Sequence, residues 1–312
     1  MTELRTPSTL TTDDGEPLSR IGLGTAAFGA EESQADTIIR RAIDLGINWI
    51  DTDAVSGRGE VERRVGRSLA ALPVGERPFV MMAIGFDWDG RSPRARLRPT
   101  LEPRRLRLQL ERSLSRLGTN TADLVKLHLA TPSDALFEDA WSMLLDLRQS
   151  GLVRSLGLIA PDSAHLERAE RIGACDSVHV ELSLIDRRAG SDLLWRMPTS
   201  AVIACRPLAG GELTDPPTEA SDDAMQPVRR LLQTIAARRR TTPAAVATAW
   251  SLSWPGVAAV AVGARSADEV VAVAKAAEIE LSVRDLSDIA KLLPALGGGR
   301  GPVHPHRVAD AA

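Results

Sequence analysis

Gly46-Ile47-Asn48-Trp49-Ile50-Asp51-Thr52 is a short β-branched and aromatic run that closes on two polar residues. Beyond Gly57 and Gly59 the pattern changes to the amphipathic stretch Glu60–Ala71. The first segment reads as a strand and the second as a helix. The same pair recurs in both directions. Strands are expected at Ile21–Ala27, Ile47–Asp51, Phe79–Ile84, Asp123–His128, Val153–Leu158, Ser177–Leu182, Ala201–Cys205 and Ala258–Val262. Helices are expected at Asp36–Leu45, Glu60–Ala71, Arg104–Leu117, Leu136–Arg148, Ala164–Ile172, Val228–Arg239, Pro243–Leu252, Ala267–Ala277 and Val283–Leu293, with a weaker segment at Ser191–Arg196. Thr242 before Pro243 and Ser266 before Ala267 are N-cap signals. Eight strands alternating with helices predict an α/β fold with a parallel sheet covered by helices, and eight units in roughly 250 residues match a (β/α)8 TIM barrel. A doubly wound sheet competes less well, because Gly22-x-Gly24 is followed by Ala27 where a dinucleotide fingerprint needs a third glycine. Leu10–Ser19, centred on Asp14-Gly15, reads as an N-terminal β-hairpin. A single domain spanning 1–312 is expected, with its core at about 18–290 and a loose Gly/Pro-rich tail at 297–312.

The 312 residues carry a net charge of −3, with 25% charged and 44% apolar side chains. This is globular composition, with no electrostatic case for nucleic acid or a membrane surface as partner. Cys175 and Cys205 are the only cysteines, too few for a disulfide framework or a Cys-x-x-Cys metal site. No apolar run is long enough to span a membrane, and Met1–Gly15 lacks the apolar core of a secretory signal. A cytoplasmic protein acting on a small molecule is expected; the oligomeric state stays open. The chain has six Trp and four Phe but no Tyr. No phenol is available as acid, nucleophile or stacking ring.

The stretch Gly46–Thr52, then Gly57-Arg58-Gly59-Glu60-Val61-Glu62 and Val65-Gly66-Arg67-Ser68-Leu69, resembles the signature of the aldo/keto reductase family. Further blocks agree in order: Gly22-Leu23-Gly24-Thr25, Leu110–Leu114, Arg116-Leu117-Gly118-Thr119, Asp123–His128, Val180-Glu181, Pro207–Gly211 and Gly263-Ala264-Arg265-Ser266. The resemblance covers roughly residues 18–290 and implies a (β/α)8 barrel that reduces carbonyls with NADP(H). It also implies a catalytic tetrad of Asp, Tyr, Lys and His, in which the lysine lowers the pKa of the proton-donating tyrosine. Position by position, the aspartate is Asp51 and the histidine is His128. The tyrosine position holds Ser56, and the lysine position falls at Ile84, give or take one residue; neither Ala83 nor Gly85 is a lysine. Where the family contacts nicotinamide, this chain has Ile159-Ala160, His179, Cys205 and Arg206. At the adenosine end Arg265 and Ser266 remain, while Ala272 and Val273 replace the adenine-binding Glu and Asn.

These vacancies predict that the family's reduction does not run as written and that no cofactor is resident. Were NADP(H) to bind, Arg265, Ser266, Gly263 and Leu208 would hold it. The expected function is a redox-neutral acid/base enzyme (dehydration, isomerisation, cyclisation or elimination) acting on a small polar or anionic metabolite. His128 and Asp51 are its catalytic candidates, and Ser56, Asp53, His179, Arg206, Trp88 and Cys205 its pocket. An NADP(H) oxidoreductase with a proton from His128 or water is the alternative, and a non-catalytic binding or scaffold protein is a third reading. Asp51, Asp53, His128 and His179 offer donors for a divalent ion, but no tight ligand motif accompanies them and no metal is expected. Phe86–Pro103 carries Arg91, Arg94, Arg96 and Arg98 and reads either as an anion-binding element or as a solvated loop.

Overall fold

The computed structural model describes residues 10–11, 15–28, 32–88, 96–130, 134–191, 193–196, 200–214, 225–293 and 301–305. Eight strands close into a parallel barrel: β1 (Ile21–Gly24), β2 (Trp49–Asp53), β3 (Phe79–Ile84), β6 (Ala122–His128), β7 (Val153–Ile159), β8 (Ser177–Glu181), β9 (Ala201–Cys205) and β10 (Val257–Gly263), with β10 returning to β1. Between β3 and β6 the pair β4 (Phe86–Asp87) and β5 (Arg98–Pro99) forms an antiparallel ribbon. The helices are α1 (Glu32–Asp44), α2 (Glu60–Ala70), α3 (Pro103–Leu117), α4 (Phe137–Gln149), α5 (Ser163–Ile172), the short α6 (Leu193–Arg196), α7 (Gln226–Arg239), α8 (Pro243–Leu252), α9 (Ala267–Ala274) and α10 (Val283–Leu292). The expected α/β barrel is therefore present.

Alternation along each strand sorts the residues into two cores. Outward-facing Ile50, Val80, Met82, Val125 and Leu127 pack into the larger cluster with helix residues such as Ile38, Leu110 and Trp141. Inward-facing Trp49, Phe79, Met81, Leu124, Ile203 and Ala259 fill the lower barrel. Gly22 is required there, since a Cβ on it would lie 2.1 Å from the Trp49 ring. Leu10 and Leu18 close the bottom beneath this cluster, joined by Leu18 N–H donating to the Leu10 carbonyl at 2.9 Å. Thr11 bridges Pro17 antiparallel, as the expected hairpin requires; its centre at 12–14 lies outside the described residues.

β2 begins two residues later than the sequence suggests and extends to Asp53. Asn48 is diverted to the bottom closure, accepting from Ser19 N–H at 2.8 Å and donating to the Pro17 carbonyl at 3.0 Å. β1 stops at Gly24, after which the chain enters a turn closed by the Phe28 N–H donating to the Thr25 carbonyl at 3.0 Å. Of the arginine-rich segment, Arg96 and Arg98 are exposed, and Arg91 and Arg94 lie outside the described residues. The tail residues 301–305 rest on the barrel, with Val303 against the core and Pro305 buried. Among the described residues no helix is long and apolar enough to cross a membrane.

Candidate active site

In a barrel of this kind, side chains that point inward at the C-terminal ends of the strands form the functional face. On β2 these are Asp51 and Asp53. On β3 alternation turns Ala83 inward, whereas Ile84 is 3% exposed in the outer core. Gly85 cannot carry a side chain there, because its φ is +128° and a Cβ would lie 2.8 Å from the His128 carbonyl oxygen. The third strand thus offers no inward cation. One strand further on, β6 reads Asp123-Leu-Val-Lys-Leu-His128, and alternation puts Lys126 and His128 on the same inward face.

Lys126 is 3% exposed and its ammonium donates to the Asp51 carboxylate. The register explains how it gets there. Lys126 pairs with Ala83 on one side and Gly157 on the other, so only a methyl group stands between its stem and β2. Sequence reasoning missed this residue by looking for the lysine on the third strand. The available signal was a lone charge inside an otherwise apolar strand, two residues before a histidine already singled out; such a residue is buried only when paired.

Burial raises the Asp51 carboxyl above its ordinary value, with Lys126 opposing that shift. His128 is half-buried against Phe86, ring centroids 4.9 Å apart, and burial followed by the Lys126 charge lowers its pKa. His179 is 1% exposed and held well below the ordinary imidazole value by burial and then Lys126. Its Nε2 meets Ser177 Oγ at 3.1 Å, while Nδ1 has no partner among the described residues. Both rings are therefore neutral near pH 7. Burial pushes the Cys205 thiol up to about 12, which leaves no thiolate for nucleophilic attack.

Asp53 caps the turn that follows β2, accepting from Ser56 N–H at 2.6 Å and from the Ser56 hydroxyl at 2.9 Å. Arg206, at φ 56°, holds Glu181 at 3.4 Å. Trp88 lies outside the pocket lining, with the Arg58 guanidinium 5.8 Å over its ring. Asp51, His179 and Cys205 bring potential ligand atoms within 4.8 Å of one another, but the cation that Asp51 meets is Lys126. Asp53 and His128, the other two donors considered from sequence, are not in that group.

Asp51, Asp53, Ser56, Lys126, His128, His179, Cys205 and Arg206 line a pocket of about 670 Å³ that extends from Asp51 and Lys126, past Leu208 and Gly263, to Arg265 and Glu269. Arg265 is oriented by Glu269, which accepts from its side chain at 2.8 Å and from its backbone N–H at 2.8 Å. Ser266 N-caps α9, accepting from the Glu269 N–H, so Arg265 stands just before a helix start whose first turn also carries Asp268 and Glu269.

Residues 20–294 match the model of the aldo/keto reductase family, and the chain belongs to that family. It is 26% identical over 314 residues to the NADH-specific methylglyoxal reductase of Escherichia coli strain K12, an alignment covering 89% of this chain and 96% of the relative. The fold superposes on the glycerol dehydrogenase AKR11B4 of Gluconobacter oxydans with a TM-score of 0.80 at 24% identity, covering 99% of this chain and all of the other. An aldo-keto reductase of Klebsiella pneumoniae solved in complex with NADPH superposes with a TM-score of 0.73 at 24% identity, over 93% of this chain and 96% of that one.

The expectation that no cofactor is resident is corrected by this membership, since a family neighbour with the same barrel holds NADPH. The residues present fit such a group. The pocket is of ligand size, its outer end carries Arg265 at a capped helix start, and its inner wall includes His179 with an unpartnered buried Nδ1. The earlier expectation weighed single replaced contacts, whereas the pocket's length and its anion end survive those replacements.

Proposed function

We propose that this protein is an NADP(H)-dependent oxidoreductase that reduces a small carbonyl compound without a phenolic proton donor. The observation that carries this reading is the continuous pocket from the Asp51–Lys126 pair to Arg265 at the start of α9. Arg265 and Ser266 would hold the phosphate end of the cofactor, with Gly263 and Leu208 beside it. His179 would meet a polar group of the nicotinamide end. The bound cofactor would supply the hydride.

The protein's own contribution is a floor where an oxyanion is favoured. Lys126 places a positive charge there, Asp51 holds that charge in position, and neutral His128 offers a ring N–H for orienting a substrate oxygen. Around these groups the wall carries apolar surface from Ala54, Val55, Ile84, Phe86 and Ile159, which suits the carbon skeleton of a small carbonyl compound.

Nicotinamide fluorescence titration with NADPH, followed by oxidation of NADPH with methylglyoxal as the probe carbonyl, tests the reading. Saturable binding and carbonyl-dependent oxidation are expected. Absence of NADPH binding overturns it, and binding without hydride transfer to any carbonyl favours the redox-neutral enzyme. Arg265→Ala should weaken NADPH by about tenfold, the loss of one charge-assisted contact on a partly exposed site, and weaken NADH less.

A further inference from the structure

Lysine is scarce in this chain. Of 38 basic residues only Lys126, Lys275 and Lys291 are lysines, and Lys275 and Lys291 are exposed. The single lysine inside the barrel stands at the floor of the pocket, whose wall also includes Ser56, the position where the family resemblance places a phenol. The other groups at the floor are poorly suited to give up a proton. The Ser56 hydroxyl is committed to Asp53, His128 and His179 are neutral, and the Cys205 thiol is a weak acid that burial makes weaker. Arg206 and Arg265 remain guanidinium ions throughout, since arginine does not deprotonate in proteins. Lys126 carries the one dissociable cation among the described pocket residues.

We propose that Lys126 is the catalytic acid of this site, giving the proton of its Nζ to the substrate oxygen in place of the missing tyrosine. This rests on the reductase reading above. A phenol and an alkylammonium are both weak acids that carry one dissociable proton on a heteroatom, so one can stand in for the other as a proton donor. The geometry accommodates the exchange, because Ala83 and Gly157 leave the lysine stem room and Lys126 and the small Ser56 line one pocket. With reduced nicotinamide as the two-electron reductant, hydride adds to the carbonyl carbon and the Nζ proton adds to its oxygen. The C=O π bond is replaced by C–H and O–H bonds, and the neutral amine regains a proton from solvent that enters the pocket once the alcohol has left. Asp51 keeps the ammonium oriented between turnovers.

The test compares wild type, Lys126→Met and Lys126→Arg for NADPH affinity by fluorescence and for single-turnover reduction of methylglyoxal. Lys275→Met and Lys291→Met serve as controls that keep the wild-type rate. Both Lys126 variants should lose about 100-fold or more in hydride transfer while NADPH affinity stays within about threefold. The Arg variant retains the cation and decides the matter should the Met variant fail to fold. A second readout needs no turnover: protein labelled with 13C at lysine Cε gives three signals, and hydroxyacetone with NADP+ should move that of Lys126 alone. Wild-type rates in both variants, or an unmoved Lys126 signal, overturn the role of Lys126. Failure of the wild type itself to oxidise NADPH overturns the reductase reading instead.

Discussion

Lys126 and Asp51 are each expensive to bury alone and tolerable together, because the ammonium satisfies the carboxylate at the pocket floor. Removing one partner strands the other. Lys126→Met should therefore destabilise the fold by about 3–5 kcal/mol, and the double variant Lys126→Met/Asp51→Asn should recover much of that loss; urea unfolding of the three proteins measures it. The histidines set a pH dependence of definite sign. Burial lowers the His128 pKa and holds that of His179 well below 6.5. The unfolded chain binds those protons as the pH falls through about 6.5 while the folded chain does not. Their stabilising contribution is thus complete above that value and declines below it, by up to about 1.4 kcal/mol per pH unit for each ring. Asp51 works in the opposite sense: its carboxyl is raised above 3.8, so the folded chain takes its proton first and regains stability as the pH falls through the raised value. Urea midpoints should be lower at pH 5.5 than at pH 7.5, and His179→Gln should flatten the difference; an unchanged slope in that variant would sink the assignment.

At the scale of elements, much of the sequence signature turns out to hold helices together. Glu62 on α2 is fully buried and accepts from Arg116 Nε on α3 at 2.5 Å. Gly66, one turn on, lets the two helices meet, since a Cβ there would lie 2.5 Å from the Arg116 carbonyl oxygen. Gly66→Ala should cost about 1–3 kcal/mol in thermal or urea unfolding, because the obstacle is backbone and cannot swing aside. Caps were readable in advance for a local reason: Thr242 and Ser266 each accept the backbone N–H three residues on. The cap of α10 follows the same rule as a capping box, Ser282 with Asp285, and Ser282→Ala should cost about 1 kcal/mol. Strand ends were less legible. Whether Asn48 continues β2 or ties the bottom closure depends on Ser19, 29 residues away.

For the whole molecule, the eight-fold alternation of strand and helix was enough to announce the barrel, because each unit must bury one face against helices and the other inside the ring. A ligand bound along the pocket from Asp51 to Arg265 would contact the ends of several barrel strands at once. NADPH at about a hundred times its dissociation constant should add about 2.7 kcal/mol of stability, raising the melting temperature of a chain this long by about 4 °C. Differential scanning fluorimetry with and without the cofactor reads that shift directly, and no shift at saturation would count against the pocket's assignment.

By itself the sequence determined the barrel, the family and the absence of any phenol, since periodicity, ordered motifs and composition are properties of the linear chain. It also located Asp51 and His128, which lie within matching motifs at strand ends. Only the tertiary structure decided what stands beside Asp51. Lys126 is 75 residues away in the chain and meets it across an intervening strand. That meeting depends on the register of β3 against β6, on the inward turn of alternate residues, and on the small side chains at Ala83 and Gly157. No local window contains those facts, because barrel closure creates the contact between side chains from separate strands.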